Sequence, residues 1–248
     1  MRFFIEMAYN GRDFHGWQKQ PNAITIQETL EKCFAKIFQR KIEIIGAGRT
    51  DTGVHARYLV AHFNMKTEID SDHLVYKLNR MLPASVAIHD IYPVKPEAHA
   101  RFDAISRKYK YYVSLKKDPF TQDFSCLILQ KINMAKMNQA CEILKNHRNF
   151  QCFSKVKTDV KTYKCTIEKA YWEKIDNQLV FTIVADRFLR NMVRSIVGTL
   201  LEIGLGKRPL EDFEKVIASK NRSRAGKSMA AKGLFLHKIR YPENIKMI

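Results

Sequence analysis

Hydrophobic spacing in this chain switches repeatedly between a period of two and a period of 3.6, and that alternation narrows the possible folds more than any other feature. Arg2–Tyr9 reads as a strand that ends at an Asn10-Gly11 turn signal. Thr25 and Glu28 form a capping-box pattern, and the helix they open carries Leu30, Cys33, Phe34, Ile37 and Phe38 on one face. Ile42–Ala47 predicts a short strand, and Leu59–Met65 predicts an alternating one. Asp70 or Ser71 caps a second helix that turns Leu74, Leu78, Met81 and Leu82 inward and stops at Pro83. Val86–Tyr92 closes this first series as another strand.

The remainder follows the same plan. Lys108–Leu115 alternates, with Tyr109, Tyr111, Val113 and Leu115 on one face. Met134–Lys145 is a helix with Met137, Ala140, Cys141 and Leu144 inward, and Tyr163–Trp172 pairs with Leu179–Val184. Leu189–Ile203 is the most apolar helix, Pro209–Ile217 a shorter one, and Lys220–Lys232 a basic loop before a last strand, Leu234–Ile239. Strands interleaved with a few helices point to an α+β fold in two units, 1–101 and 102–248, with the join near Pro96–Phe102. No Pro- or Ser-rich linker separates them, so a shared interface is expected, and a cleft between packed units is a common place for a site.

The charge limits the partners. The 248 residues include 43 Lys and Arg against 25 Asp and Glu, a net charge of +18. It is uneven: residues 1–101 hold 14 basic and 11 acidic side chains, and residues 102–248 hold 29 and 14. Such a field attracts polyanions, nucleic acid first. A membrane surface ranks well behind, because no basic amphipathic helix, lipidation signal or apolar run of ~20 residues occurs. The opening MRFFIEMAYNG lacks the apolar core of a signal peptide. Five cysteines without a C-x-x-C pair are expected to be reduced, mostly buried thiols of a cytosolic protein.

Three stretches carry residues able to do chemistry. In GAGRTDTGVHA, residues 46–56, Arg49 and Asp51 stand two apart, so in an extended segment they face the same way. A nearby cation favours the ionised carboxylate and suits it to act as nucleophile or base without a metal. The alternative is a surface turn with a weak ion pair. In HARFDAISRKYKYYV, residues 99–113, basic and aromatic side chains interleave: Arg107, Lys108, Tyr109, Lys110 and Tyr111. Aromatic faces stack on unpaired bases while cations meet phosphates, or the stretch is a strand with a buried tyrosine face. In ADRFLRNMVRSIVG, residues 185–198, Arg187, Arg190 and Arg194 are expected to share a helix with an apolar stripe. Arg194 then either pairs with an anion such as Asp51 or extends to solvent. Gly226-Lys227-Ser228 fails as a phosphate-binding loop because position 221 is Asn. No Cys/His zinc spacing occurs, so no metal site is expected. A metal-assisted nuclease or deaminase using Asp51, His55 and His62 remains a rival, as does a non-catalytic structured-RNA-binding protein.

Together these residues resemble the tRNA pseudouridine synthase A family over nearly the whole chain. The resemblance rests on GAGRTDTGVHA, on YNGRDFHGWQKQ with TIQETLE, and on LNRMLP, HARFDAISRKYKYY, FQCFS, FLRNMVRSIVG and GLFLHKIRY in the family's order. It implies isomerisation of uridine to pseudouridine in the anticodon stem-loop of tRNA, at tRNA positions 38–40, with no cofactor and no metal, by a cytoplasmic homodimer. It implies two RRM-like halves forming one mixed sheet with helices on one side and a cleft between the halves. By the same resemblance Asp51 is the nucleophile, Arg49 helps displace the target nucleotide, Tyr109 stacks on its base, Arg194 pairs with the catalytic carboxylate and Leu234 lines the base pocket. Arg107, Lys108, Lys110, Arg187 and Arg190 are further candidate RNA contacts. Arg187 stands where the family usually has a small residue, and SMAAK before Gly233 lacks a proline common there.

Overall fold

The computed structural model describes residues 1–156 and 160–247. The chain is α+β and divides into two compact units, Met1–Ile105 with Phe235–Ile248, and Ser106–Leu234.

The first unit runs β1 (Arg2–Tyr9), α1 (Ile26–Phe38), β2 (Ile45–Gly46), β3 (His55–Asn64), α2 (Ser71–Met81) and β4 (Val86–Val94). Antiparallel pairing gives the order β4-β1-β3-β2, which makes this an RRM-like unit. Thr25 caps α1, its hydroxyl accepting from the Glu28 amide, and Asp70 caps α2 by accepting from the His73 amide. Each cap satisfies a donor that has no partner within the helix. One sheet face packs on α1: the Phe63 ring stacks on Phe3 at 5.6 Å and meets Phe34 edge-on at 4.9 Å. All three rings are buried, each contributing on the order of 2–3 kcal/mol through apolar area removed from water.

Two expectations fail here. The strand expected over Ile42–Ala47 shrinks to Ile45–Gly46, because Gln27 holds the Ile44 carbonyl at 2.9 Å and takes it out of a ladder. Met81 is exposed, and only Leu74, Leu78 and Leu82 of its set are buried. β3 begins at His55, earlier than its alternation suggested, and is buried on both faces from Leu59 to Phe63. Residues 235–247 belong to this unit because β9 (Leu234–Arg240) pairs in parallel with β3, Phe235 opposite His55 and Leu236 opposite Ala56.

The second unit comprises β5 (Ser106–Ser114), β6 (Cys126–Leu127), α3 (Met134–Lys145), β7 (Ile167–Ile175), β8 (Gln178–Ala185), α4 (Met192–Gly204) and α5 (Asp212–Ala218). β8 lies between β5 and β7, antiparallel to both. Tyr111, Phe181 and Trp172 form one cross-strand row on the buried face, where Trp172 and Phe181 rings sit 5.1 Å apart. Met137, Ala140, Cys141 and Leu144 of α3 are fully buried, as their spacing predicts. β7 starts at Ile167 rather than Tyr163, because Tyr163 and Cys165 bond instead to Phe150 and Arg148.

α4 also starts late, at Met192. Asn191 adopts a left-handed φ of 67°, and the Asp186 carboxylate accepts from the amides of Thr166 and Arg187. These bonds hold 186–191 as a turn. Arg187 and Arg190 therefore lie outside the helix, and Arg194 alone of the three is on it. Pro209 precedes α5 in a turn that accepts from the Asp212 amide.

Candidate active site

The loop between β2 and β3 is built around one inward residue. Thr50 is buried, and its hydroxyl bonds the Tyr9 hydroxyl at 2.9 Å. Its carbonyl accepts from the Trp17 amide at 3.4 Å. Gly16 makes that approach possible: its φ is +82°, and an added Cβ would lie 2.2 Å from the Thr50 carbonyl oxygen. Thr50 is thereby anchored inward. Arg49 is exposed and Asp51 half-buried.

Asp51 heads a tight turn. Its carbonyl accepts from the Val54 amide at 3.1 Å, and Gly53, at φ 75°, donates to the Phe14 carbonyl at 3.2 Å. His55 completes the strapping. Its Nδ1 accepts from the Gly11 amide at 3.0 Å and its ring stacks on Phe235 at 4.5 Å. The segments around YNGRDFHGW and GAGRTDTGVHA thus form one braced unit, with Tyr9, Gly11, Gly16 and His55 as its supports. Tyr9 and Gly16 were not singled out by sequence reading. Their signal is the fixed offset of Tyr9, Gly11, Gly16 and Trp17, which makes sense only once the second loop lies across the first.

His62 does not join His55. It lies seven positions further along β3, buried, and its Nδ1 accepts from the Ala100 amide at 3.2 Å. Burial, with His99 and Arg2 nearby, lowers its pKa to about 4. Among the described residues no group of three or more His, Cys, Asp and Glu side chains could hold a metal ion.

In the second unit β5 sorts its interleaved residues by face. Arg107, Tyr109 and Tyr111 lie on one side, Lys108 and Lys110 on the other. Tyr109 is half-buried and meets Phe188 edge-on at 5.1 Å. Arg107 Nη1 donates to the Asp186 carbonyl at 2.7 Å, tying β5 to the 186–191 turn. Lys110 Nζ lies 3.9 Å from Glu173. Arg187 is half-buried, whereas Arg190 is exposed and lends its carbonyl to the Lys155 amide.

Arg194 is held by main chain. Its Nε donates to the Met229 carbonyl at 2.6 Å, and its own carbonyl accepts from the Met229 amide at 3.1 Å. The next carbonyl, of Ala230, accepts from the Tyr111 hydroxyl at 2.9 Å. Leu234, 6% exposed, follows a short turn over Ala231–Gly233 and begins β9. The basic loop at 220–232 therefore fixes both Arg194 and Tyr111, a role that composition alone does not reveal.

A family model described as tRNA pseudouridine synthase matches residues 6–103 and 140–242. A protein of Bacteroides fragilis named tRNA pseudouridine synthase A is 50% identical over 246 residues, covering 98% of each chain. One of Parabacteroides distasonis with the same name is 49% identical, over 98% of this chain and 97% of its own. A more distant one, of Acetivibrio thermocellus, is 37% identical over 95% of this chain and 97% of its own. With the matched stretches spanning the braced loops and α4, the chain belongs to the tRNA pseudouridine synthase family, whose members are isomerases.

Proposed function

We propose that this isomerase converts uridine to pseudouridine in the anticodon stem-loop of tRNA, at tRNA positions 38–40, with Asp51 as its nucleophile. The observation that carries the reading is the braced turn, a rigid scaffold that presents a half-buried carboxylate at its head. Rigid placement of one reacting group removes orientational freedom from the reaction before it begins.

The reaction is internally balanced. The N1–C1′ bond breaks, uracil turns, and C5 joins C1′, while the proton leaves C5 and one is gained at N1. No oxidant, reductant or second substrate is consumed, so no cofactor is required. The Asp51 carboxylate attacks C1′, removes the C2′ proton or attacks the base, and each of these needs an ionised oxygen. The target must first leave the stack, at a cost of a few kcal/mol. Stacking on Tyr109, on the order of 1–3 kcal/mol, offsets much of that cost. Arg49, exposed at the rim of the turn, fills the place of the displaced nucleotide. Arg194 is a substrate-binding guanidinium and Leu234 an apolar wall for the base. Arg107, Lys108, Lys110, Arg187 and Arg190 meet phosphates.

The enzyme works as a cytoplasmic homodimer. All five cysteines are free and four are buried, as suits a reducing compartment. Phe120, Leu127 and Leu129 are exposed within one short stretch of the second unit and supply apolar surface for a second copy.

Asp51→Ala tests the reading directly. It should abolish tritium release from tRNA labelled at uridine C5 while tRNA binding persists. Equal turnover by the wild type and the variant removes Asp51 from the mechanism. Wild-type protein that binds tRNA but leaves every uridine intact would favour the non-catalytic RNA-binding alternative.

A further inference from the structure

The loop that fixes Arg194 needs its own anchor, and a second arginine supplies it. Arg222 lies in a short 3-10 turn, Arg222–Arg224, and is half-buried. Its Nη1 donates to the Gly226 carbonyl at 3.1 Å and its Nη2 to the Ser228 hydroxyl at 2.9 Å. The same hydroxyl accepts from the Asn191 side-chain amide, at the start of α4. Asn191 also donates to Ser195 at 3.1 Å. On the near side, the Gly226 amide donates to the Thr199 hydroxyl at 2.8 Å. Residues 226–228 are thus clamped from both sides, and the two residues that follow carry the carbonyls that hold Arg194 and Tyr111.

A guanidinium is suited to this task because its two terminal donors lie in one rigid plane and engage two acceptors at a set spacing. An ammonium on a flexible stem holds one acceptor at a time. These bonds go to neutral acceptors within the chain, so the geometry describes an internal brace rather than an ion pair or a surface charge waiting for phosphate.

We infer that Arg222 is a positioning residue for the isomerisation: its fork sets the 225–230 loop, and that loop aims Arg194. The inference rests on the substrate-binding role proposed above for Arg194. Full-length Arg222→Lys and Ser228→Ala variants test it on transcribed tRNA. Arg222→Lys should lose kcat by on the order of 10–100-fold, the scale of a small misplacement of a reacting group, with tRNA Kd and its salt dependence within about twofold of wild type. Ser228→Ala should lose part of that rate. Because both act through one contact, the double variant should be little slower than Arg222→Lys alone. Guanidinium ion at low millimolar concentration should restore part of the rate to Arg222→Ala, which a loss of overall stability would not allow.

Full kcat in Arg222→Lys overturns the inference. So does a loss that appears only in Kd with the salt slope reduced by about one, which would make Arg222 a phosphate contact. If the Arg222 variants fail to fold, full kcat in Ser228→Ala overturns it instead. Arg194→Lys separates this inference from the reading beneath it. Normal turnover there removes the role of Arg194 and the inference with it. A slow Arg194→Lys beside a normal Arg222→Lys removes the brace alone.

Discussion

His62 shows what one buried side chain does to the molecule's response to acid. It is 2% exposed on β3, with its ring beside those of Phe4 and His99, and Arg2 and Asp103 are the charged groups that act on it. Its pKa is lowered from the ordinary histidine value to about 4, burial being the largest cause. Between about pH 6.5 and 4 the unfolded imidazole binds a proton that the folded one refuses, so stability must fall as pH falls through that window. The full penalty is about 3 kcal/mol. His99, lowered in the same direction, adds to it. Urea midpoints measured from pH 7 to pH 4 should decline for wild type and decline less for His62→Gln, which keeps an acceptor for Ala100. Identical slopes would show that His62 titrates normally. Tyr109 is the residue where chemistry can be tested as sharply. If its ring stacks on the target base, Tyr109→Phe should keep tRNA affinity and Tyr109→Ala should lose about 5- to 150-fold in handling the flipped base. Alike behaviour of the two variants would end the stacking role.

At the scale of elements, α4 and the loop laid across it are built for each other. Gly198 sits inside the helix, where alanine would ordinarily gain up to about 1 kcal/mol. A Cβ there would lie 1.9 Å from the Lys227 carbonyl oxygen, a backbone atom that cannot swing aside. Overpacking of that kind costs about 1–3 kcal/mol, so the steric effect wins. Gly198→Ala should lower the urea midpoint, whereas Gly48→Ala, with nothing within 4 Å of its Cβ, should leave it unchanged. Local pattern predicted α1, α2 and α3 closely because each pairs a side-chain cap with an apolar stripe. It misread the start of α4, whose apolar run continues back to Leu189 while Asp186 and a left-handed Asn191 hold those residues as a turn. It carries no sign of the supports beneath the Asp51 turn. The Tyr9–Thr50 bond joins residues 41 positions apart, and periodicity along a chain carries no record of such a partner. At 220–232 residue type predicts a basic, RNA-facing loop and nothing of its bracing, because two carbonyls that hold side chains leave no trace in residue type.

On the scale of the whole molecule, charge decides how the substrate is met. The net +18 is concentrated in the second unit, where residues 106–234 hold 26 basic and 12 acidic side chains. Residues 1–105 and 235–248 hold 17 and 13. The unit with Asp51 is therefore close to neutral, and the electrostatic hold on a polyanion falls to the other. If tRNA is gripped through its phosphates, each contact releases condensed counterions, and affinity must fall along a straight line of log Kd against log salt. Six or so contacts correspond to a slope near 5, a loss of about a thousandfold between 50 and 200 mM salt. Binding through stacked bases and apolar walls alone would hardly change over that range. Within the steep line, exposed Arg190 should behave as a single phosphate contact. Arg190→Ala should weaken all tRNAs alike and reduce the slope by about one, with single-turnover rates at saturating enzyme preserved. Asp51→Ala should leave the slope untouched, because the carboxylate acts after capture. A flat salt response, or a slope that changes with Asp51 and not with Arg190, would place the grip in the first unit and break the division of labour that the charge distribution implies.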